Sequence, residues 1–441
     1  MVDYLPPKGT EDFFPADFSV RKQVLDSLRA TAIKYGFLEV ETPAFETTEW
    51  LTKKSGDELL GQIFTLEQRG SEKFGLRFDL TVPITRLFLQ KQRELQKPVR
   101  WFGLSRMWRY EAPQKGRLRE FSQLSVECFG SDKVQADAEL LNLFVDCYKN
   151  LGLTSKDFKV RVNSRMLLQG LLWGLNCVSS EKQCDDVFRL VDKSSKISED
   201  DFKKELKGVG LDDAQIKNVL EIVSLKGSPS DVLSRIDALN IGDLGLSDSL
   251  ATLKNLFLFL PEEYFVMDLS IARGIAYYTG IVFEAFDVSG EFRALGGGGR
   301  YDNLIDLYGG ERTPATGFGI GLSTLSLLLE KKNLIPKSKT GVDYFVALVP
   351  KEQSKEYQQY KTLGTMGVSE LVLRKAFDVA RELRKNSSVV IDINERKLAK
   401  QFEYAQSIGA QKVVIVGEKD LAEGKVTIRD MKTGKEEKVD I

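Results

Sequence analysis

"WRYEAPQKGRLREFSQ" (Trp108–Gln123) sets six charged side chains, a proline and a glycine between two stretches that otherwise read as buried strands. Upstream, "VRWFGLSRMWRYE" carries strand-forming residues; downstream, "EFSQLSVECFG" alternates. The spacing predicts two strands joined by a long charged loop. Two apart on a strand, Arg109 and Glu111 would share a face, with Lys115, Arg117 and Arg119 following in the loop. A guanidinium fork matches phosphate oxygens, and Glu111 could accept from an exocyclic amine or hold a cation. A solvated hairpin with weak surface ion pairs accounts for the same charges. On the second strand Ser122, Leu124 and Val126 fall on one face, and Phe121, Gln123, Ser125 and Glu127 on the other. Gln123 and Glu127 are expensive to bury unless a ligand or an internal arginine network hydrogen-bonds them. Asp79 and Thr81 in "LRFDLT" raise the same question.

Outward from this hairpin the pattern is mixed. Asp17 to Tyr35 reads as an amphipathic helix, and Pro43 in "GFLEVETPAFE" belongs at a strand edge or end. "QIFTLEQ" and "FGLRFDL" read as a hairpin, "TVPITRLFLQKQREL" and "DAELLNLFVDCYKNLG" as helices, and "FKVRVNS" as a strand. From about 165 to 262 the chain turns helical and rich in Lys and Ser, an inserted module. Strands resume at "YFVMDLS", "TGIVFEAFDV" and "EFRALGGGG", and "ATGFGIGLSTLSLLLEKKNL" is a strand running into a buried helix. Short turns between successive strands predict an α+β domain with a largely antiparallel sheet flanked by helices. After "IPKSKTGVD" short apolar strands alternate with helices, predicting a separate α/β domain over 341–441 with a mainly parallel sheet.

The totals exclude several classes. With 63 basic and 64 acidic residues among 441, the chain lacks the overall basic charge of a bulk nucleic-acid binder, so any such contact is local. No apolar run approaches the ~20 residues of a membrane span, and "MVDYLPPKGTEDFFP" has no signal-peptide pattern, which predicts a cytoplasmic address without membrane contact. Cys128, Cys147, Cys177 and Cys184 form no C-x-x-C pair and read as packing residues. The chain contains no histidine. Histidine triads, Cys-His pairs, His-ligated zinc and a histidine base are therefore unavailable. "IARGIAYYTG" offers Arg273, Tyr277 and Tyr278, and "LGGGGRYD" offers glycines before Arg300 that permit either a close backbone approach or a tight bend.

Five stretches, in order, resemble the histidyl-tRNA synthetases, a family of class II aminoacyl-tRNA synthetases, over essentially the whole chain. "PPKGTEDFFP" resembles the N-terminal segment, "GFLEVETPAFE" the dimer-forming motif 1, and "WRYEAPQKGRLREFSQLSVECFG" motif 2. "IARGIAYYTGIVFE" and "GGGGRYDNL" resemble the two histidine-specific signatures, and the C-terminal segment the anticodon-binding domain. The resemblance implies a class II-like catalytic domain over 1–335 with its insertion at about 165–262, and an anticodon-binding domain over 341–441. It implies condensation of L-histidine with ATP to histidyl adenylate, then transfer to tRNA(His), by a homodimer using Mg2+ with ATP. By the same resemblance Arg109 binds the α-phosphate and the amino-acid carboxylate, Glu111 the adenine end and Arg117 the outer phosphates. Asp79, Leu80, Thr81, Gln123 and Glu127 line the amino-acid site, Tyr277 and Tyr278 hold the imidazole, and Arg273 stabilises charge at the α-phosphate. No protein metal site is implied.

Some positions depart from the family pattern. Motif 3 usually ends in a form like "GLERL", whose arginine grips the γ-phosphate; here Ser323 and Thr324 stand in its place. Arg117 or Arg300 could compensate. Ala276 replaces a common Asp, Ser122 a motif 2 histidine and Ala112 a frequent arginine, with Ala112 and Gln114 in the loop expected to meet the tRNA end. The lost arginine admits a rival: a catalytically inactive paralogue that binds histidine as a regulatory or sensor protein. A synthetase charging another amino acid fits less well, because "YYTG", Gln123 and Glu127 are retained.

Overall fold

Strands β4 (Val99–Trp108) and β5 (Glu120–Phe129) pair antiparallel throughout, with Val99 opposite Phe129 and Trp108 opposite Glu120. The computed structural model describes residues 4–53, 61–68, 70–194, 197–239, 241, 246–272, 277–349, 368–394 and 396–440. The chain divides into two units, Met1–Asp12 with Arg21–Pro336, and Phe13–Val20 with Lys337–Ile441.

In the first unit β4 and β5 belong to a sheet that also contains β1 (Leu38–Glu39), β6 (Phe158–Ser164), β7 (Lys226–Gly227), β8 (Phe265–Asp268), β9 (Ile281–Asp287), β10 (Gly296–Arg300) and β11 (Ala315–Gly321). Their order is β1-β4-β5-β11-β10-β9-β6-β8-β7. Only the β1/β4 and β6/β8 pairs are parallel, so the sheet is largely antiparallel, as the short connections predict. Leu124 and Val126 of β5 pack into the main core with the helix Val134–Lys149. That helix buries Leu140, Leu141, Phe144, Val145 and Tyr148, a three-and-four spacing that puts one apolar stripe on the sheet. Each such side chain contributes about 1.5–3 kcal/mol on burial. The opposite face of β5, carrying Gln123, Ser125 and Glu127, is thereby left to a site.

Between β6 and β8 the insertion forms the helices Arg165–Gly174, Glu181–Ser194, Glu199–Gly208, Asp213–Val223, Pro229–Asp237 and Leu246–Leu258. Ser198, Asp212 and Ser228 cap three of them by accepting from backbone N–H groups. Such caps stabilise a helix by about 1 kcal/mol each. The short strand β7, which pairs with β8, was not anticipated.

One local expectation changes and one open alternative is settled. The "QIFTLEQ"/"FGLRFDL" hairpin reduces to a bridge between Thr65 and Gly75, because β3 (Phe74–Leu76) pairs with β2 (Phe45–Thr47) instead. Phe45 and Phe74 meet edge-to-face at 5.6 Å across that pair. The poly-glycine makes no bend: it is strand β10, as the strand pattern at "EFRALGGGG" predicts, closely approached by backbone between β9 and β11. A Cβ on Gly296 would lie 2.6 Å from the Gly319 carbonyl and 2.8 Å from the Tyr148 hydroxyl, so only bare backbone fits there.

The second unit holds β12 (Tyr344–Leu348), β13 (Val389–Ile391), β14 (Lys412–Val416), β15 (Lys425–Asp430) and β16 (Glu436–Asp440), ordered β13-β12-β14-β15-β16. β12 runs parallel to β13 and β14, whereas β15 and β16 are antiparallel additions. The sheet is thus mixed rather than mainly parallel, since the terminal strands join by a tight turn that only an antiparallel pair can use. The buried Gln401 accepts from Leu348 N–H at 2.8 Å and donates to its carbonyl at 2.9 Å, fixing the helix Leu398–Ser407 on β12. No helix among the described residues is long and apolar enough to cross a membrane.

Candidate active site

The site face of β5 opens on a cavity of about 830 Å³ within the first unit. Its floor is main chain, because Gly297 lies opposite Gly319 and Gly299 opposite Gly317 across β10 and β11. Side chains from neighbouring strands occupy the space their Cβ atoms would take. A Cβ on Gly319 would sit 2.8 Å from Gln123 Nε2. One on Gly317 would overlap the Glu127 carboxylate and lie 2.6 Å from the Tyr301 hydroxyl.

Thr81 opens the helix Thr81–Gln90 and donates its hydroxyl to Glu127 Oε1 at 2.8 Å, while Asp79 accepts from Val82 N–H at 3.4 Å. Glu127 is buried. Tyr277 and Tyr278 pack ring to ring at 4.6 Å, and Tyr277 meets Tyr301 edge-on at 5.6 Å. Tyr301, which sequence reading passed over inside the quoted "GGGGRYDNL", lines the cavity with a buried hydroxyl that has no hydrogen-bond partner among the described residues. A buried donor left unmatched is costly, so this hydroxyl is available to hydrogen-bond a molecule that enters the cavity.

At the other end the hairpin differs from its expected geometry. β4 stops at Trp108, and Glu111 N–H donates to the Arg109 carbonyl at 2.9 Å in a tight turn, so strand alternation does not align Arg109 with Glu111. They reach the same cavity by separate supports. Arg109 donates to the Phe78 carbonyl at 3.1 Å and lies over the Phe121 ring, 5.1 Å from its centroid. Arg119 donates to the Glu111 carbonyl at 3.0 Å and stacks over Tyr110 at 4.5 Å. Gly9, at φ +89°, brings the N-terminal segment onto this hairpin, and its carbonyl accepts from Arg119 N–H at 2.7 Å. Arg117 and Glu111, assigned by resemblance to opposite ends of ATP, form an ion pair, with Nη2 to Oε1 at 3.1 Å.

Four positions raised by the sequence lie elsewhere or outside the described residues. Leu80 is buried in the core that includes Ile84 and Phe88, so its side chain does not line the cavity. Arg300 cannot serve as a phosphate clamp: it is buried and bonded to Asp137 at 2.7 Å and Asp302 at 3.1 Å. Arg273 and Ala276 lie outside the described residues. Arg161 and Asp192 line the cavity without having been singled out. The alternation of "FKVRVNS", with Val160 and Val162 in the core, was the available signal for Arg161, which lies over Phe286 at 4.3 Å and faces Asp268 at 3.5 Å. Nothing local to the insertion helix Glu181–Ser194 marks Asp192. Among the described residues no group of three or more carboxylates or thiols could hold a metal.

Residues 9–325 match the family described as "Histidyl-tRNA synthetase", and residues 346–441 the "Anticodon binding domain". The chain belongs to the histidyl-tRNA synthetase family. It is similar to the "Histidine--tRNA ligase" of Pyrococcus horikoshii, 38% identical over 98% of this chain and 96% of that one. The same-named protein of Natronomonas pharaonis is 38% identical over 98% and 95%. A solved histidyl-tRNA synthetase from a Nostoc species superposes with a TM-score of 0.78 at 26% identity, covering 100% of this chain and 97% of that one. A Bacillus halodurans structure titled "ATP phosphoribosyltransferase regulatory subunit/histidyl-tRNA synthetase" superposes with a TM-score of 0.72 at 24% identity, over 94% and 99% of the two chains, and shares the fold. Thr324, which stands where the resemblance leads one to expect an arginine, donates its hydroxyl to the Gly116 carbonyl at 3.2 Å and so ties the hairpin loop to the helix Leu322–Lys331.

Proposed function

We infer that the protein joins L-histidine to tRNA(His) in two ATP-dependent steps. The observation that supports this most is one cavity lined by Thr81, whose hydroxyl donates to the buried Glu127 behind it, by Tyr301 and by an arginine-bearing hairpin, in a chain that matches its ligase relatives through the anticodon-binding segment. In the first step the histidine carboxylate attacks the α-phosphorus of ATP, forming a mixed anhydride and releasing pyrophosphate. The nucleophile is already an anion and needs no side-chain base, which suits a chain without histidine. Arg109 would offset charge growing on the α-phosphate, and preorganised cations of this kind supply most of the stabilisation. Arg273 has the same proposed task on grounds of sequence. In the second step a terminal ribose hydroxyl of tRNA attacks the histidyl carbonyl and AMP leaves.

Glu127 and Tyr301 would read the imidazole, Gln123, Asp79 and Thr81 the amino group, and Tyr277 and Tyr278 wall the ring. Glu111 and Arg117 would part to take adenine and outer phosphates. Magnesium, entering on the phosphates of ATP and water, would neutralise phosphate charge. We read 1–335 as the catalytic domain with its insertion at about 165–262, 341–441 as the anticodon-binding domain, motif 1 as the homodimer interface and the cytoplasm as the location. Charging of tRNA(His) transcript with labelled histidine tests the whole reaction; binding of histidine without any charged tRNA would favour the sensor paralogue.

Tyr301→Phe is expected to raise KM for L-histidine about tenfold, the loss of one buried hydrogen bond, with KM for ATP unchanged. Its thermal stability should not fall, because the deleted hydroxyl has no hydrogen-bond partner among the described residues.

The pH response follows from what the site lacks. Burial pushes the thiols of Cys128 and Cys184 up to about 11 and that of Cys177 up to about 12, and none of them lines the cavity. A raised thiol stays protonated through neutral pH and titrates only in alkali. With histidine absent, kcat for pyrophosphate exchange at saturating substrates is expected to vary less than about twofold from pH 7 to 8. A bell-shaped kcat profile centred in that window would contradict this.

A further inference from the structure

Four cations, Lys115, Arg117, Arg293 and Lys331, gather where the hairpin loop meets the helix Leu322–Lys331. Arg117 is offset by Glu111 and Lys331 by Glu291, while Lys115 lies over the Phe292 ring at 5.9 Å. Arg293 differs. It lines the cavity, and its Nη2 donates to the neutral Gln114 Oε1 at 2.7 Å. Among the described residues no carboxylate pairs with it, so its charge is not cancelled.

The tether sets where that charge sits. Gln114 N–H donates to the Arg117 carbonyl at 3.1 Å and Arg117 N–H to the Gln114 carbonyl at 2.8 Å, closing a tight loop tip at Gly116, where φ is +75°. Thr324 donates to the Gly116 carbonyl from the other side of that tip. Arg293, Arg117, Gly116 and Thr324 therefore line the cavity together at the loop tip. A terminal phosphate there needs a cation whose charge is available. Freeing Arg117 costs an ion pair, whereas Arg293 can keep its neutral tether to Gln114 and offer its other guanidinium N–H donors to a phosphate oxygen.

We propose that Arg293, held by Gln114 against the loop tip, is the γ-phosphate-binding residue of this protein and takes over the task that Thr324 cannot perform. The proposal rests on the reading that this cavity binds ATP. The test measures equilibrium binding of ATP, AMP and L-histidine to the full chain, with Arg293→Ala and the double variant R293A/T324R. Arg293→Ala is expected to weaken ATP about tenfold or more, the size of one charged hydrogen bond, and to leave AMP and L-histidine unchanged. Thr324→Arg in that background, returning a cation beside the same loop tip, should recover ATP affinity. Unaltered ATP affinity in R293A, equal weakening of ATP and AMP, or a double variant no better than R293A would overturn the assignment alone. An unsubstituted protein that binds no ATP would overturn the reading beneath it as well.

Discussion

Replacing Arg109 with alanine is expected to lower kcat for histidine-dependent pyrophosphate exchange by about 10²–10³-fold, the usual effect of removing one preorganised donor from a developing anion. The guanidinium is held before any substrate arrives, by the Phe78 carbonyl on one side and the Phe121 ring on the other. Its charge is therefore in place without reorganisation during the reaction. Arg109→Lys should recover only part of the rate, because an ammonium keeps the charge but loses the planar fork and the stacking on Phe121. Circular dichroism and the thermal midpoint check that the loss is chemical; a variant that folds and exchanges at the unsubstituted rate removes Arg109 from the reaction.

The second large effect comes from a residue with no side chain. Gly317→Ala puts a methyl group onto the Glu127 carboxylate, 2.6 Å from the Tyr301 hydroxyl and 2.6 Å from the Val126 carbonyl. The two side chains can swing aside, but the carbonyl belongs to the paired strand β5 and cannot. Relief must then come from displaced side chains and a shifted ladder, costing about 1–3 kcal/mol of stability. Displacing Glu127 and Tyr301 forfeits a charged and a neutral hydrogen bond to the ligand, so affinity for L-histidine is expected to fall about 100-fold. ATP affinity should change much less, because the loop carrying Arg117 is not disturbed. Calorimetric titration with each ligand separates the two, and unchanged histidine affinity would show that Gly317 does not shape the amino-acid site.

How far these features were legible beforehand depended on whether local pattern or long-range approach determined them. The alternation of β5 placed Leu124 and Val126 in the core and Gln123 and Glu127 together on the opposite face, over Gly319 and Gly317, without any knowledge of neighbours. Asp212 and Gln215 form the capping box their spacing allows. Arg109 and Glu111 were rightly grouped for a reason that does not hold, since a turn rather than a strand carries them and distant partners, Phe78 and Arg119, aim them. Arg300 reads from sequence as a free cation, yet Asp137 on a helix 163 residues earlier in the chain claims it. Poly-glycine was ambiguous because its meaning lies in what fills the vacated space, here Tyr148 and the β11 main chain. Arg293 had no motif at all, and only the fold brings it to Gln114.

Histidine-dependent exchange of labelled pyrophosphate into ATP tests the central claim most directly, with Arg109→Ala as the blank. Label should enter ATP only when L-histidine is present, and at a rate far above that of the variant. Absence of exchange with every amino acid, in a folded protein that still binds L-histidine, would contradict it.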